Sequence, residues 1–323
     1  MSSHSPLPSS APPGEAHITA IDVEYIRPGL ACSHLVIDGG RAAFVDTGTT
    51  LAVPLLLDAL RAQNIRPTDV DYLLLTHIHL DHAGGAGALL RHLPNAKCVV
   101  HPRGAAHLSD PAKLIAGSKV VYGEEAFARL YGEIIPIAAD RMVTVSDGET
   151  LQLGQRSLRF IHTAGHALHH YCIVDHAAQI IFAGDTFGIS YRALDTRHGA
   201  FIFPAATPVH FDPVAAHASI ERLLSYRPVA IYITHYSRVS PPHALAAQLH
   251  RGIDVFVEIA RRWAAHAQPQ RSWQMSNDMF AYFDAQLDQH GYAGAADERH
   301  ALLDDDIRLN VQGLNVWADR NPQ

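Results

Sequence analysis

The chain has 323 residues, 25 of them Lys or Arg and 32 Asp or Glu, for a formal net charge of −7. Hydrophobic residues make up 48% and charged ones 18%, so a sizeable core is expected and general disorder is not. No basic run stands out, which argues against nucleic acid as a partner, because phosphate-backbone binding rests on clustered Lys and Arg.

Residues 1–17 are Ser/Pro-rich and lack the apolar stretch of an export signal, and they read as a flexible N-terminal tail. Strand-like runs follow at 17–26, 33–40 and 41–48, the last two joined by Gly39-Gly40, a hairpin signal. Residues 52–65 carry helical apolar spacing, 71–77 form a continuous apolar strand, 83–93 read as a helix and 96–102 as another strand. This alternation is that of an α/β layered fold. Short strands punctuated by turns run from 143 to 185, then a helix at 213–226 and a strand at 229–235. The halves echo each other: AFVDTG, a helix, then LLLTH matches FAGDT, a helix, then IYITH. Beyond His235 the chain turns helical, with Leu245, Leu249, Ile253, Phe256, Ala260 and Trp263 on one stripe, and Leu303, Ile307, Val311, Leu314 and Trp317 on another. These stripes are packing faces, and three uses stay open for them: covering a site, forming a homodimer interface, or capping the core. No stretch reaches the roughly 18 apolar residues of a membrane helix. Cys32, Cys98 and Cys172 are scattered, as buried thiols in a reducing compartment are. A cytoplasmic protein with no membrane partner is expected.

The chemistry concentrates where the strand at 71–77 ends in THIHLDHAGG. His77, His79, Asp81 and His82 combine imidazole nitrogen with carboxylate oxygen, a donor set for zinc, iron or manganese, whereas calcium would want oxygen alone. Gly84-Gly85 is expected to let the chain turn into the next helix. Further along, His166 follows the strand LRFI, Asp185 follows IIFAG, and His235 follows AIYIT. Five histidines and two aspartates at strand ends make an inventory for two metals. A solvated polar loop would leave those strand-end groups unexplained.

In their order, THIHLDHAGG, TAGHALHH, FAGDT and ITH resemble the metallo-β-lactamase superfamily, in its glyoxalase II-like branch of hydrolases. The resemblance covers about residues 18–250 as a catalytic domain and leaves 251–323 as a helical C-terminal extension packed on it. It implies a four-layer αβ/βα sandwich with the metals at one edge between two sheets. It further implies that His77, His79 and His166 hold one metal, Asp81, His82 and His235 a second, and that Asp185 bridges them. Asp46 in VDTG and His170 match supporting positions that orient ligands. Ala164 stands where relatives usually have Pro. His169 replaces a common Gly and is expected to point outward or line the pocket rather than bind metal. His79 stands where the di-iron flavoproteins have Glu, which disfavours that branch.

Two cations, zinc by preference with iron or manganese also suited, would share a hydroxide that attacks a thioester, ester or lactone. Asp81 is the candidate to orient it and to carry a proton to the leaving group. Phe187, Tyr191, Arg192, Tyr236 and Arg238 follow ligands in sequence and are candidates to contact a small-molecule substrate, although aromatics there also suit packing under the C-terminal helices. The main alternative is a persulfide dioxygenase with one iron on His77, His166 and Asp185. A true β-lactamase, exported and without the bridging aspartate, fits less well. So does a nuclease with its basic surface, and so does an inactive binding protein.

Overall fold

The computed structural model describes residues 17–322. The expected tail lies outside them apart from His17. The first sheet contains β1 (His17–Asp22), β2 (Cys32–Asp38), β3 (Arg41–Val45), β4 (Val70–Leu74), β5 (Lys97–Val100) and β6 (Met142–Thr144), adjacent in that order. Helix α1 (Val53–Ala62) joins β3 to β4, while α2 (Leu80–Ala83) and α3 (Ala86–Leu90) join β4 to β5. Between β5 and β6 stand α4 (Pro102–Ser109), α5 (Ala112–Tyr122) and α6 (Glu124–Tyr131). The second sheet contains β7 (Thr150–Leu153), β8 (Arg156–His162), β9 (Tyr171–Asp175), β10 (Ile180–Phe182), β11 (Ala230–Ile233) and β12 (Ser237–Val239), with α7 (Pro213–Ser225) linking β10 to β11. Three long helices follow: α8 (Pro242–Trp263), α9 (Gln270–His290) and α10 (Ala296–Arg320).

Alternation along the strands makes the layers. Ala43 and Val45 of β3, Leu74 of β4, Phe160 of β8, Ile173 of β9, Phe182 of β10 and Tyr232 of β11 form one apolar cluster between the sheets. Their neighbours Phe44, Leu73, Cys172, Ile181 and Ile231 face the helices in a second cluster. An αβ/βα sandwich results, as expected. All three cysteines are free and buried, and burial pushes the Cys98 and Cys172 thiols up to about 12.

Local chemistry sets the boundaries. Asp38 and Arg41 pair across the hairpin, where Gly39 and Gly40 have φ of +56° and +77°, a turn that favours glycine at both centres. The strand expected to reach residue 26 stops at Asp22, whose carboxylate accepts from Glu24 N at 2.9 Å and Gly29 N at 2.6 Å and turns the chain into a loop. The helix expected at 83–93 divides into α2 and α3. Gly84 and Gly85 both keep right-handed helical angles there. Close approach explains Gly85, since a Cβ on it would lie 2.6 Å from Thr49 O.

The sequence echo has a structural counterpart. β3 runs parallel to β4, and β10 runs parallel to β11. In each pair a carboxylate follows the first strand (Asp46, Asp185) and a histidine follows the second (His77, His235). Backbone bonds from Cys32 N to Thr234 O, 2.9 Å, and from Tyr171 N to Thr76 O, 2.9 Å, tie the sheets together at that end. Among the described residues no helix is long and apolar enough to cross a membrane.

Candidate metal centre

Seven side chains expected from the sequence meet where the two parallel pairs end. His77 Nε2 lies 2.8 Å from His79 Nδ1, which lies 3.1 Å from His166 Nε2. Asp81 Oδ2 lies 3.6 Å from His82 Nε2 and 3.5 Å from His235 Nε2. Asp185 stands between the groups: Oδ2 is 3.4 Å from His166 Nε2, and Oδ1 is 3.3 Å from His82 Nε2 and 3.7 Å from His235 Nε2.

The remaining nitrogens fix the imidazoles. His82 Nδ1 donates to Asp46 Oδ2 at 2.8 Å, His166 Nδ1 to Ala205 O at 3.1 Å and His235 Nδ1 to Leu30 O at 2.8 Å. Each bond keeps a proton on Nδ1, so that in the neutral ring Nε2 is the nitrogen whose lone pair faces inward. Asp46 collects the donors of both sheets: Thr76 N at 2.8 Å, Thr76 Oγ1 at 2.9 Å, Thr234 Oγ1 at 2.7 Å and the His82 ring. Thr76 and Thr234 were not among the expected site residues. Their signal was the Thr that precedes His in both LLLTH and IYITH.

His170 stands behind the site. Its Nε2 accepts from Asp185 N at 3.2 Å, its Nδ1 lies 3.0 Å from Thr163 Oγ1, and its ring stacks on His77 with centroids 4.9 Å apart. Gly184 makes that contact possible, with φ of +47° and a hypothetical Cβ 2.6 Å from Thr76 Oγ1 and 2.7 Å from His170 Nε2. Gly184→Ala is therefore expected to push Asp185 off its register and to weaken metal binding about 10–100-fold, as loss of supporting contacts does, read by competition with a chromogenic chelator.

The donor set fits divalent cations. Burial first, then crowding by His82 and His79, holds His77 well below the ordinary imidazole range, burial does the same to His79, and burial lowers His166. Three neutral imidazoles thus aim lone pairs at one point. At His82 burial works against the charged form, yet Asp185, Asp81 and Asp46 hold the ring well above its ordinary range. Asp81, against its burial, is held at about 2 by His82 and His235. His82 Nε2 and Asp185 Oδ1 are buried with no hydrogen-bond partner among the described residues, an expensive state that a cation between them relieves. The groups His77–His79–His166, His77–His82–Asp185 and Asp81–His82–His235 each hold their donor atoms within 4.8 Å of one another.

The centre opens into a cavity of about 430 Å³. His79, Asp81, Asp185 and His235 form one side; much of the rest comes from the loop after β1, from α5 and from α10. His169 lines it too, with burial holding its ring at about 3. Of the five expected substrate contacts the structure brings only Tyr191 there. Phe187 is fully buried in the core. Arg192 is engaged by Ser190 O at 2.8 Å and Asp195 at 3.3 Å. Tyr236 and Arg238 lie off the cavity, the latter exposed on β12. The segment after Asp185 folds back, with Ile189 pairing with Phe203, and sends Phe203 against Phe283 of α9 at 5.2 Å. The cations that do line the cavity, Arg27, Lys113 and Arg308, come from distant elements.

The Metallo-beta-lactamase superfamily model matches residues 27–235. The chain belongs to the metallo-β-lactamase superfamily. It is 28% identical over 176 residues to the metallo-beta-lactamase fold-containing protein ST1585 of Sulfurisphaera tokodaii, covering 53% of this chain and 62% of that one. Similarity extends to a hydroxyacylglutathione hydrolase of Stenotrophomonas maltophilia (33% over 152 residues; 47% and 44% of the two chains). An atrochrysone carboxyl ACP thioesterase of Aspergillus chevalieri is 29% identical over 155 residues (47% and 39%). The matches thus span less than two thirds of these relatives' lengths. Among solved structures, the superfamily protein TTHA1429 of Thermus thermophilus superposes with a TM-score of 0.66 at 19% identity, covering 95% of this chain and 94% of that one. This superposition shows the fold.

Proposed function

We propose that this protein is a dinuclear metal-dependent hydrolase that cleaves a thioester, ester or lactone of a small molecule with an apolar body. The observation that carries this reading is Asp185, whose two carboxylate oxygens face two separate donor groups beside an apolar cavity. Relatives named as hydroxyacylglutathione hydrolase and as ACP thioesterase support the thioester class.

Divalent cations, zinc by preference, would be held by His77, His79 and His166 and by Asp81, His82 and His235, with Asp185 shared, and would polarise the reacting carbonyl and supply hydroxide at neutral pH. Asp46 and the carbonyls of Leu30 and Ala205 keep the imidazoles in the tautomer this needs. Asp81 is ionised at neutral pH and reaches the cavity, so its carboxylate takes up the nucleophile's proton and passes it to the leaving group. Ile78, Leu80, Leu114, Val121, Leu302 and Leu309 line the cavity, where they hold the acyl body and exclude water. Each methylene buried there contributes about 0.8 kcal/mol, so kcat/KM is expected to rise about fourfold per methylene until the cavity is filled.

Elemental analysis of protein purified without a histidine tag or added metal tests the reading, alongside hydrolysis of acyl N-acetylcysteamine thioesters. About two divalent ions per chain are expected. Asp81→Ala is expected to deplete mainly one of them and most of the turnover; full metal content with full turnover in that variant would remove Asp81 from the site. One iron per chain, with oxygen uptake on a persulfide, would replace the hydrolase by a dioxygenase.

A further inference from the structure

One wall of the cavity is α10, and two of its polar residues, Asp306 and Asn310, lie one turn apart on the same face and line that cavity. They are 8% and 1% exposed. Both are unusual among Ile189, Leu302 and Leu309, since a buried polar group is costly unless its hydrogen bonds are made. Neither has them all. The two oxygens of Asp306 each lie 3.0 Å from the Tyr191 hydroxyl, which carries one proton and serves one oxygen at a time. No other donor is hydrogen-bonded to the Asp306 carboxylate among the described residues. Burial accordingly pushes its carboxyl up to about 7. Arg27 is engaged elsewhere: its Nη2 donates to Leu302 O at 3.1 Å, and its guanidinium lies 5.0 Å from the centre of the Tyr191 ring. Asn310 uses Oδ1 to accept from Ala206 N, which fixes the amide's orientation and leaves Nδ2 a donor without an acceptor among the described residues.

With Asp306 ionised, the cavity wall therefore offers an acceptor short of a donor and a donor short of an acceptor, one helical turn apart. A hydroxyl both donates and accepts and so can satisfy the pair; an ammonium would serve only the carboxyl, and a carbonyl only the amide. We propose that Asp306 and Asn310, braced by Tyr191, form a specificity site that reads a hydroxyl on the substrate's acyl body, away from the reacting carbonyl. The enzyme then acts on hydroxyacyl thioesters or esters in preference to plain acyl ones. This rests on the hydrolase reading above, and it gives α10 a place in substrate selection.

The test compares octanoyl N-acetylcysteamine thioester with its monohydroxylated forms, the hydroxyl moved stepwise along the chain. Metal-loaded full-length protein is expected to prefer at least one hydroxylated form by about tenfold or more in kcat/KM, the effect of one buried hydrogen bond made rather than missed. In Asp306→Leu that ratio is expected to fall to about one, whatever happens to the absolute rate, while Asp306→Asn retains part of it. A merely structural Asp306 would change all substrates alike. Should Asp306→Leu not fold, Asn310→Leu reads the same ratio. Equal rates for every member with wild-type protein, or a preference that survives both leucine variants, would overturn the assignment. Unreactive octyl and hydroxyoctyl thioethers, measured by calorimetry, separate this site from the chemistry. Tighter binding of a hydroxyoctyl form that vanishes in Asp306→Leu, with no thioester hydrolysed, leaves the specificity site standing and removes the hydrolase. Turnover without any hydroxyl preference, in rate or in binding, does the reverse.

Discussion

Asp185→Ala is expected, on the proposed dinuclear reading, to lose both metals together and to lower turnover about 10³-fold or more, because a shared carboxylate is what would let two cations sit side by side. Its oxygens stand 3.4 Å from His166 Nε2 and 3.3 Å from His82 Nε2. Without it, Asp81 alone would offset the charge of two cations in a buried pocket. Asp185→Asn separates charge from shape. It fills the same space, but it places an amide nitrogen toward one group and removes the negative charge both groups use. Metal loss in both variants, by elemental analysis after dialysis, is the expected result; Asp185→Ala with its full metal complement would sink the bridging role. The contrast with Asp81→Ala is informative, since Asp81 faces only His82 and His235 and its loss should empty mainly one position. The metal-free folds should differ little. In Asp185→Ala the His82 ring, held above its ordinary range first of all by Asp185 among the carboxylates, becomes easier to keep neutral, which offsets part of the lost contact.

The centre was legible because its residues are placed by local rules. Each candidate ligand follows an apolar strand by a few residues, and parallel neighbours bring strand ends to the same edge. The echo between LLLTH and IYITH even carried the two threonines that hold Asp46. The substrate wall was not legible in the same way. Arg192 and Arg238 follow ligands in sequence, but the chain after Asp185 doubles back into the core. Arg27 reaches the cavity instead because Asp22 stops β1 early and folds residues 23–31 into a loop. Tyr25 and Tyr131, whose hydroxyls meet at 2.7 Å, are separated by 106 positions, and no local pattern announces such a pair. Helix α5 is rich in apolar residues, yet none of its residues is fully buried, so no core-facing stripe marks it out. Asp306 stands in an acidic run, Asp304-Asp305-Asp306, a composition that suits a solvated face. Yet the stripe Leu303, Ile307, Val311, Leu314 puts positions 306 and 310 on its inward side, and that phase could have exposed both.

Asp46→Asn should keep the fold while disabling one half of the centre, and Asp46→Ala should damage both. Asp46 is fully buried and accepts from Thr76 N, Thr76 Oγ1, Thr234 Oγ1 and His82 Nδ1. Alanine leaves those donors without an acceptor at the seam between the sheets. Loss of a buried charged partner of this kind costs about 3–5 kcal/mol, to be read from denaturant titration of the metal-free protein. Asparagine keeps Oδ1 for Thr76 N, so most of that stability should remain. Its amide, however, places N–H where Oδ2 received the His82 Nδ1 proton. Two donors cannot face each other, so the imidazole carries its proton on Nε2 instead, and that is the atom aimed at Asp81 and Asp185. A protonated Nε2 has no lone pair for a cation. Asp46→Asn is thus expected to bind the metal at His77, His79 and His166 and to lose most of the second, with turnover down about 10–100-fold. Full metal content in a stable Asp46→Asn protein would show that Asp46 braces the sheets without setting the tautomer. A loss of stability equal to that of alanine would show that the charge itself, rather than the pattern of donors, holds this end of the molecule together.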